Sequence, residues 1–174
     1  MKIGIISDTH KKVKKTKKAL AQLIEDGAEF IIHAGDIVEV EILQMLKNSS
    51  LRYVAVYGNN DAHLTQYHEN FELVQEPFYF KLDGLKFKLM HLPYYLTPDA
   101  DIVVFGHTHQ FEVALEGKTL FLNSGEVCAR KKPVTEFAML ETSKESFVVT
   151  HYEKGEDEIG FRQTQHSFKR ELKS

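Results

Sequence analysis

Five short polar stretches in this chain each follow directly on an apolar run of strand length, and that repetition limits the fold more than any other feature. Asp8-Thr9-His10 follows KIGIIS, Gly35-Asp36 follows FIIHA, and Gly58-Asn59-Asn60-Asp61 follows YVAVY. His91 follows FKLM, and Gly106-His107-Thr108-His109 follows Asp101-Ile102-Val103-Val104-Phe105. In extended chain a residue and its second neighbour point to the same side. His107 and His109 therefore present two imidazoles into one space, and Gly106 lets the backbone turn there. The rest of the chain reads as a scaffold that gathers these five loops.

The first third alternates strand and helix. Residues 2–6, 29–33 and 51–56 read as short buried strands. Between them, residues 12–26 and about 38–47 carry apolar residues at helical spacing, with Gly27 as a stop signal after the first helix. This order predicts a parallel sheet with right-handed crossovers. From Phe78 onward the pattern turns to β. Residues 78–82 and 85–90 flank an Asp83-Gly84 hairpin turn. Residues 101–105 form one more buried strand, 111–115 and 118–122 flank Glu116-Gly117, and 134–140 with 146–152 form a last pair. The expected whole is a single α/β domain over residues 1–154, with two sheets face to face and helices outside. A polar tail at 155–174 is open between a frayed helix, an arm on a partner and disorder.

The totals exclude several classes. A net charge of −3 and a pI near 6.3 give no general pull toward nucleic acid or an acidic membrane. One cysteine, Cys128, rules out an intrachain disulfide framework. No apolar run approaches the roughly 18 residues of a membrane span, and no signal pattern precedes the first strand. A cytoplasmic protein is the expectation.

In open α/β sheets ligands bind beyond the carboxyl ends of strands. Asp8, His10, Asp36, Asn59, His91, His107 and His109 all fall there. Two carboxylates, one amide oxygen and four imidazoles suit borderline divalent ions such as Mn²⁺, Fe²⁺, Ni²⁺ or Zn²⁺, and are too nitrogen-rich for Ca²⁺ or Mg²⁺. Seven ligands exceed one ion and serve two if a carboxylate bridges. Taken singly, Asp-Thr-His reads as a helix cap, Gly-Asp as a turn, and His91 as a packed or exposed histidine; the set in order is what carries the reading. His33 is expected in the core or behind the ligands, and His63, His68, His151 and His166 at the surface. The lysines at 11, 12, 14, 15, 17 and 18 oppose the dipole at a helix start. They read as a solvated face, with attraction of anionic substrate as the alternative. Arg130-Lys131-Lys132 has the same two readings.

ISDTH, HAGDI, YGNND, LMHLP and FGHTH, in this order, resemble the calcineurin-like metallophosphoesterase superfamily, and NSGEVC at 123–128 is similar to its compact YfcE-like phosphodiesterase branch. The resemblance covers roughly residues 1–150. It implies a four-layer α-β-β-α sandwich of two mixed sheets. It implies two divalent transition-metal ions, Mn²⁺ first. Asp8, His10 and His109 would hold one ion, Asn59, His91 and His107 the other, and Asp36 would bridge them. The implied reaction is hydrolysis of a small phosphate diester by hydroxide held between the metals, with Asp61 orienting a ligand or substrate.

The chain departs from the family pattern at three places. Asn60 stands where many members have His, and an amide cannot deliver a proton to a leaving group. Leu92-Pro93 replaces Gly-His after His91. The segment from His91 to Gly106 is short, which predicts a more open site or one covered by a partner subunit. Glu126 reads either as a plain turn residue or as a neighbour of the site. A phosphomonoesterase and a non-catalytic protein-binding scaffold like the compact retromer subunit of the superfamily are the alternatives. A nuclease is disfavoured by acidic pI and the lack of added domains. A homodimer or larger homo-oligomer is compatible with the β edges.

Overall fold

A computed structural model describes residues 1–171. Strand β1 (Lys2–Ile6), helix α1 (Val13–Glu25), β2 (Phe30–His33), α2 (Val40–Asn48) and β3 (Arg52–Val56) form the expected alternation. A 3₁₀ segment, Ala62–Asn70, and a two-residue strand β4 (Leu73–Val74) follow. The remainder is β5 (Phe78–Leu82), β6 (Leu85–Leu89), β7 (Ile102–Phe105), β8 (Phe111–Glu116), β9 (Thr119–Ser124), β10 (Val134–Thr142), β11 (Ser146–Gly155) and β12 (Arg162–Lys169).

Two mixed sheets result. The larger runs β12-β11-β10-β1-β2-β3-β4 and the smaller β5-β6-β7-β9-β8. Strands β1 to β4 pair in parallel, while β10 joins β1 antiparallel. The β1–β3 runs are apolar on consecutive residues because both faces are covered. Ile3, Ile5, Phe30, Ile32, Val54 and Val56 meet Phe87, Leu89, Val104 and Leu122 between the sheets. Ile6, Ile31 and Ala55 face the other way, onto Leu20 and Leu23 of α1 and Ile42, Leu43 and Leu46 of α2. Gly4 is required by this packing. A Cβ there would lie 2.7 Å from Ile31 Cδ1 and 2.9 Å from Leu23 Cδ1, so α1 sits against β1 without room for a side chain.

The α/β expectation of two mixed sheets is met, with a thin outermost layer. Among the described residues all helix lies before Phe71. The outer face of the smaller sheet, with Met90, Val103, Phe105 and Phe121, is overlain by the strap of residues 92–100. Lys88, itself buried, ties that strap down through Nζ to Tyr95 O at 2.6 Å, Thr97 Oγ1 at 2.8 Å and Asp99 Oδ1 at 3.1 Å.

Three local differences from the sequence reading have simple causes. The larger sheet runs past residue 154. The segment left open as a tail contains strand β12, which pairs antiparallel with β11 from Ser146↔Lys169 to Glu153↔Arg162. As an edge strand it is polar and mostly exposed, which erased the alternation that would have marked it. Residues 172–174 of that tail lie outside the described residues. The second hairpin turns on Gly117-Lys118, one residue later than expected, with Gly117 at φ 59°. The Asp83-Gly84 turn is as expected, with both residues left-handed at φ 52° and 75°. His151, expected at the surface, is buried at 8% exposure because its strand lies inside the extended sheet. The lysines of α1 are on its exposed side apart from half-buried Lys15.

Gly4→Val should lower unfolding free energy by about 1–3 kcal/mol through overpacking between β1 and α1. Urea titration of both proteins, read at unchanged m-value, checks it; equal midpoints would mean the helix can shift away freely.

Candidate metal centre

The loops that leave β1, β2, β3, β6, β7 and β9 meet at one edge of the sandwich. Backbone bonds stitch them together: Asp8 N–H to Gly35 O at 3.0 Å, His10 N–H to Asp36 O at 2.9 Å, Gly106 N–H to His91 O at 3.1 Å and Cys128 N–H to Asp8 O at 3.1 Å. Two glycines permit the approach. A Cβ on Gly58 would lie 2.2 Å from Asp36 N, and one on Gly106 would lie 2.3 Å from Ser7 Oγ. Asp8, His10, Asp36, His107 and His109 all have positive φ, between 45° and 68°. Each such conformation costs about 1–3 kcal/mol and persists where its surroundings hold it.

Asp8 and Asp36 are buried, and His10 is half-buried. One ligand atom from each of Asp8, His10, Asp36 and His109 lies within 4.8 Å of the others. Asp8 Oδ2 accepts from Ser7 Oγ at 2.6 Å and from His107 N–H at 3.1 Å. Its Oδ1 is buried without a hydrogen bond, 3.2 Å from His109 Nε2. His10 Nε2 is likewise without a hydrogen bond and lies 3.5 Å from Asp36 Oδ2.

On the other side of Asp36, its Oδ1 lies 3.5 Å from His91 Nε2. Asn59 Oδ1 is 3.0 Å from His91 Nε2 and 3.1 Å from His107 Nδ1. The seven expected ligand residues are thus brought together in two groups, with one oxygen of Asp36 turned to each.

The tautomers suit a cation. His91 Nδ1 lies 2.8 Å from Ala34 O, which can only accept, so Nδ1 carries hydrogen and Nε2 faces the cluster. His109 Nδ1 bonds Glu126 Oε2, leaving Nε2 toward Asp8. Burial lowers the His10 pKa against the pull of Asp36 and Asp8, so its imidazole is neutral at pH 7. Burial also opposes charge on His91, but Asp36 beside it raises its pKa overall, which marks a place where positive charge is favoured. Asp36 has the opposite balance: burial is outweighed by bonds from His91 and Asn60, and its pKa falls well below the carboxylate range. Orphaned Asp8 Oδ1 and His10 Nε2 among buried acceptors are what a divalent ion would satisfy. The donor set therefore fits divalent metal.

The remaining candidates are placed differently. Asn60 clasps Asp36, with N–H to Oδ1 at 3.0 Å and Nδ2 to Oδ2 at 2.8 Å. Asp61 reaches the loops rather than the ligand cluster. Its carboxylate accepts from Val38 N–H at 2.7 Å, Gly58 N–H at 2.7 Å and Ile37 N–H at 3.1 Å, tying the loop after β2 to that after β3. Its burial raises its pKa despite these bonds. His33 is fully buried and neutral, its pKa pushed by burial and by His91 down to about 3. Gly35 N–H donates to its Nδ1 at 3.1 Å, and its Nε2 lies 2.9 Å from Thr9 Oγ1.

Two more residues support the site, one left open by the sequence and one unmarked in it. Glu126, open between turn and site, is fully buried. Burial works against its charge, but His109, the Lys132 N–H and Cys128 hold its pKa down to about 2. Its signal was the NSGEVC stretch. Glu76 Oε2 accepts the N–H of His91 and, at 2.8 Å, that of Leu92. No local pattern around Glu76 marks it. Cys128 lies with His10 and His109, but burial and Glu126 push its thiol up to about 12, so no thiolate is offered. The cluster opens on a cleft of about 370 Å³, also lined by Arg130 and Lys131. The α1 lysines do not line it.

The chain belongs to the calcineurin-like phosphoesterase superfamily, whose domain profile matches residues 1–145. It is 29% identical over 160 residues to phosphodiesterase MJ0936 of Methanocaldococcus jannaschii, covering 84% of this chain and 96% of that one. The solved structure of Escherichia coli YfcE, a phosphoesterase, superposes with a TM-score of 0.72 at 20% identity over 94% of this chain and 98% of that one. A Vps29 single mutant from Entamoeba histolytica superposes with a TM-score of 0.77 at 20% identity, covering 97% and 99%. No helix of the described residues is long and apolar enough to cross a membrane.

Two outcomes follow from this geometry. Glu126→Gln should weaken divalent-ion affinity about 10–100-fold, because the carboxylate that orients His109 is lost; titration calorimetry with Mn²⁺ reads it, and unchanged affinity would show His109 is held by packing alone. His33 remains neutral when folded, whereas the unfolded chain protonates it below 6.5. Metal-free protein should therefore lose stability as pH falls from 6.5 toward 3. His33→Gln removes the titratable ring and should reduce that slope by about one proton, or about 1.4 kcal/mol per pH unit. Equal slopes in chelator-treated proteins would contradict it.

Proposed function

We propose that the protein is a dinuclear metal-dependent phosphodiesterase acting on a small phosphate diester. The observation that carries this reading is Asp36, whose Oδ2 faces His10 and whose Oδ1 faces His91. Asp8, His10 and His109 would hold one ion, Asn59, His91 and His107 the second, with Asp36 shared. Mn²⁺ is the ion we infer, with Ni²⁺, Fe²⁺ and Zn²⁺ compatible with the same donors. Bound there, two divalent ions make water acidic enough to attack near neutral pH and offset charge on the phosphoryl oxygens.

The chain's own groups prepare that chemistry. Ser7, Glu126 and the Ala34 carbonyl fix Asp8, His109 and His91, so little reorganisation is left for the reaction. Arg130 and Lys131 at the cleft place positive charge where a phosphate ester would lie. Asn60 donates to Asp36 and has no titratable proton for a leaving oxygen. That favours a leaving group that departs without a protein acid. It also fits the similarity to MJ0936 and YfcE, both named phosphodiesterases.

A second reading, a non-catalytic scaffold, is favoured by the likeness to Vps29 together with the exposed side chains of Tyr94, Tyr95 and Leu96 on the 92–100 strap. The retained ligand set weighs against it.

Chelator-stripped protein given back Mn²⁺, Ni²⁺, Zn²⁺ or Mg²⁺ should hydrolyse bis-p-nitrophenyl phosphate in preference to p-nitrophenyl phosphate. Asp36→Asn should remove most of that turnover, on the order of 100-fold or more, with its circular dichroism unchanged. Turnover in Asp36→Asn near that of the wild type would defeat the shared-carboxylate assignment. Silence of a folded, metal-loaded wild type on both esters would favour the scaffold.

A further inference from the structure

Among the described residues, one group of metal-ligating side chains lies outside the cleft. Glu136 of β10 and His151 and Glu153 of β11 sit on adjacent antiparallel strands, with Glu136 opposite Glu153 and Ala138 opposite His151. Ala138 and Val149 face the core between the sheets, so by strand alternation Glu136, His151 and Glu153 continue that inward face toward one end of the sheet. Two carboxylates and an imidazole on an inward face are costly to bury unless something compensates them.

One ligand atom from each of the three lies within 4.8 Å of the others. Glu136 is 2% exposed and His151 8%. His151 Nε2 lies 3.2 Å from Glu136 Oε1, and its Nδ1 lies 4.0 Å from Glu153 Oε2. Yet His151 Nε2 and Glu136 Oε2 are both buried with no hydrogen bond of acceptable geometry. The ring plane is fixed independently: Phe111 stacks on it with centroids 3.7 Å apart and planes 7° from parallel. The compensating charge is the Lys132 ammonium, 2.7 Å from Glu136 Oε2. Lys132 comes from the loop side, with its side chain 43% exposed, so it can turn to solvent when another cation faces Glu136.

We propose that Glu136, His151 and Glu153 form a separate site for one divalent transition ion, Zn²⁺ by its donor chemistry. One imidazole nitrogen and two carboxylate oxygens are a borderline-hard set, and three protein ligands leave a position for water. Glu153, whose side chain is 32% exposed, provides the side open to solvent. The ion replaces the Lys132 ammonium as the cation facing Glu136 and clamps β10 to β11. In the cleft, by contrast, the ligands come from loops at strand ends.

The inference does not depend on hydrolysis, and its test does not either. The full chain is stripped with chelator, loaded with Zn²⁺, desalted and assayed for zinc per chain. Wild type should retain one more ion per chain than either His151→Gln or Glu153→Gln. The same difference should persist when Asp8→Asn is added to weaken the cleft alone, which separates this site from the dinuclear reading. Zinc should also raise the melting temperature of Asp8→Asn, and adding Glu153→Gln should make that rise smaller. Glu153 is the outer ligand, so its variant serves if His151→Gln does not fold. Equal zinc content in wild type and folded Glu153→Gln overturns the inference and leaves an ion network closed by Lys132. A difference that vanishes in the Asp8→Asn background overturns it as well.

Discussion

The structure depends most on the way buried negative charge is held at one edge of the sandwich. Asp8, Asp36 and Glu126 are each 2% exposed or less. Their bonds come from a serine hydroxyl, a cysteine thiol, an asparagine, backbone N–H groups and imidazoles. Neutral donors can lower the energy of an anion, but three in one place repel each other and lack water. The imidazoles supply part of the answer: Asp36 raises the pKa of His91 even against burial. A proton on His91 is a weak substitute for a divalent cation, and the orphaned Asp8 Oδ1 and His10 Nε2 show where such a substitute falls short. The arrangement is therefore best understood as a site whose electrostatics are completed by metal.

Holding those charges in place dictates the backbone around them. The loops approach so closely that Gly58 and Gly106 have no space for a Cβ. Five of the seven candidate ligand residues take left-handed φ, which turns their side chains inward from chains that leave the sheet in parallel. A conformation of this kind is stable only when neighbouring loops over-determine it. Asp61 and His33 contribute to that. Asp61 accepts from three N–H groups on two loops, and His33 links Thr9 to Gly35. Both are buried polar groups with all their bonding directed to backbone or loop partners, so they act on the ligands through position.

What could be read from the sequence follows the same division. The parallel half was legible because its signals are local: an apolar run, a turn, an amphipathic helix. The candidate ligand residues stand out because each sits directly after its own strand. Of the residues behind them, the sequence marks Asp61 and His33 as supports and leaves Glu126 open, but it does not mark their partners, which lie far along the chain. Glu126 meets His109 across 17 positions, Glu76 meets the His91 N–H across 15, and Asp61 meets Val38 N–H across 23. Nothing in the neighbourhood of Glu76 distinguishes it from a surface glutamate. Strand β12 was hidden for a different reason: an edge strand needs no apolar alternation, so RQTQHSFK looks like a tail until β11 is beside it.

That added edge has a consequence for charge inside the larger sheet. With β12 beside β11, His151 is an interior residue stacked on Phe111, and Glu136, one strand further in, is 2% exposed. Phe111 begins the strand that follows His109, while Glu136 N–H donates to Glu126 O at 2.8 Å, next to the carboxylate that orients His109. Both groups that frame the Glu136–His151 pair are thus chain neighbours of the cleft's own supports. Lys132 connects the two regions from the other side, giving its N–H to Glu126 Oε1 at 2.8 Å and its ammonium to Glu136. Replacing that ammonium with another cation would leave the Lys132 backbone anchored to Glu126 while freeing the side chain beside Arg130 and Lys131. Charge at the sheet's inner end and charge at the cleft mouth are in this way tied through one short loop.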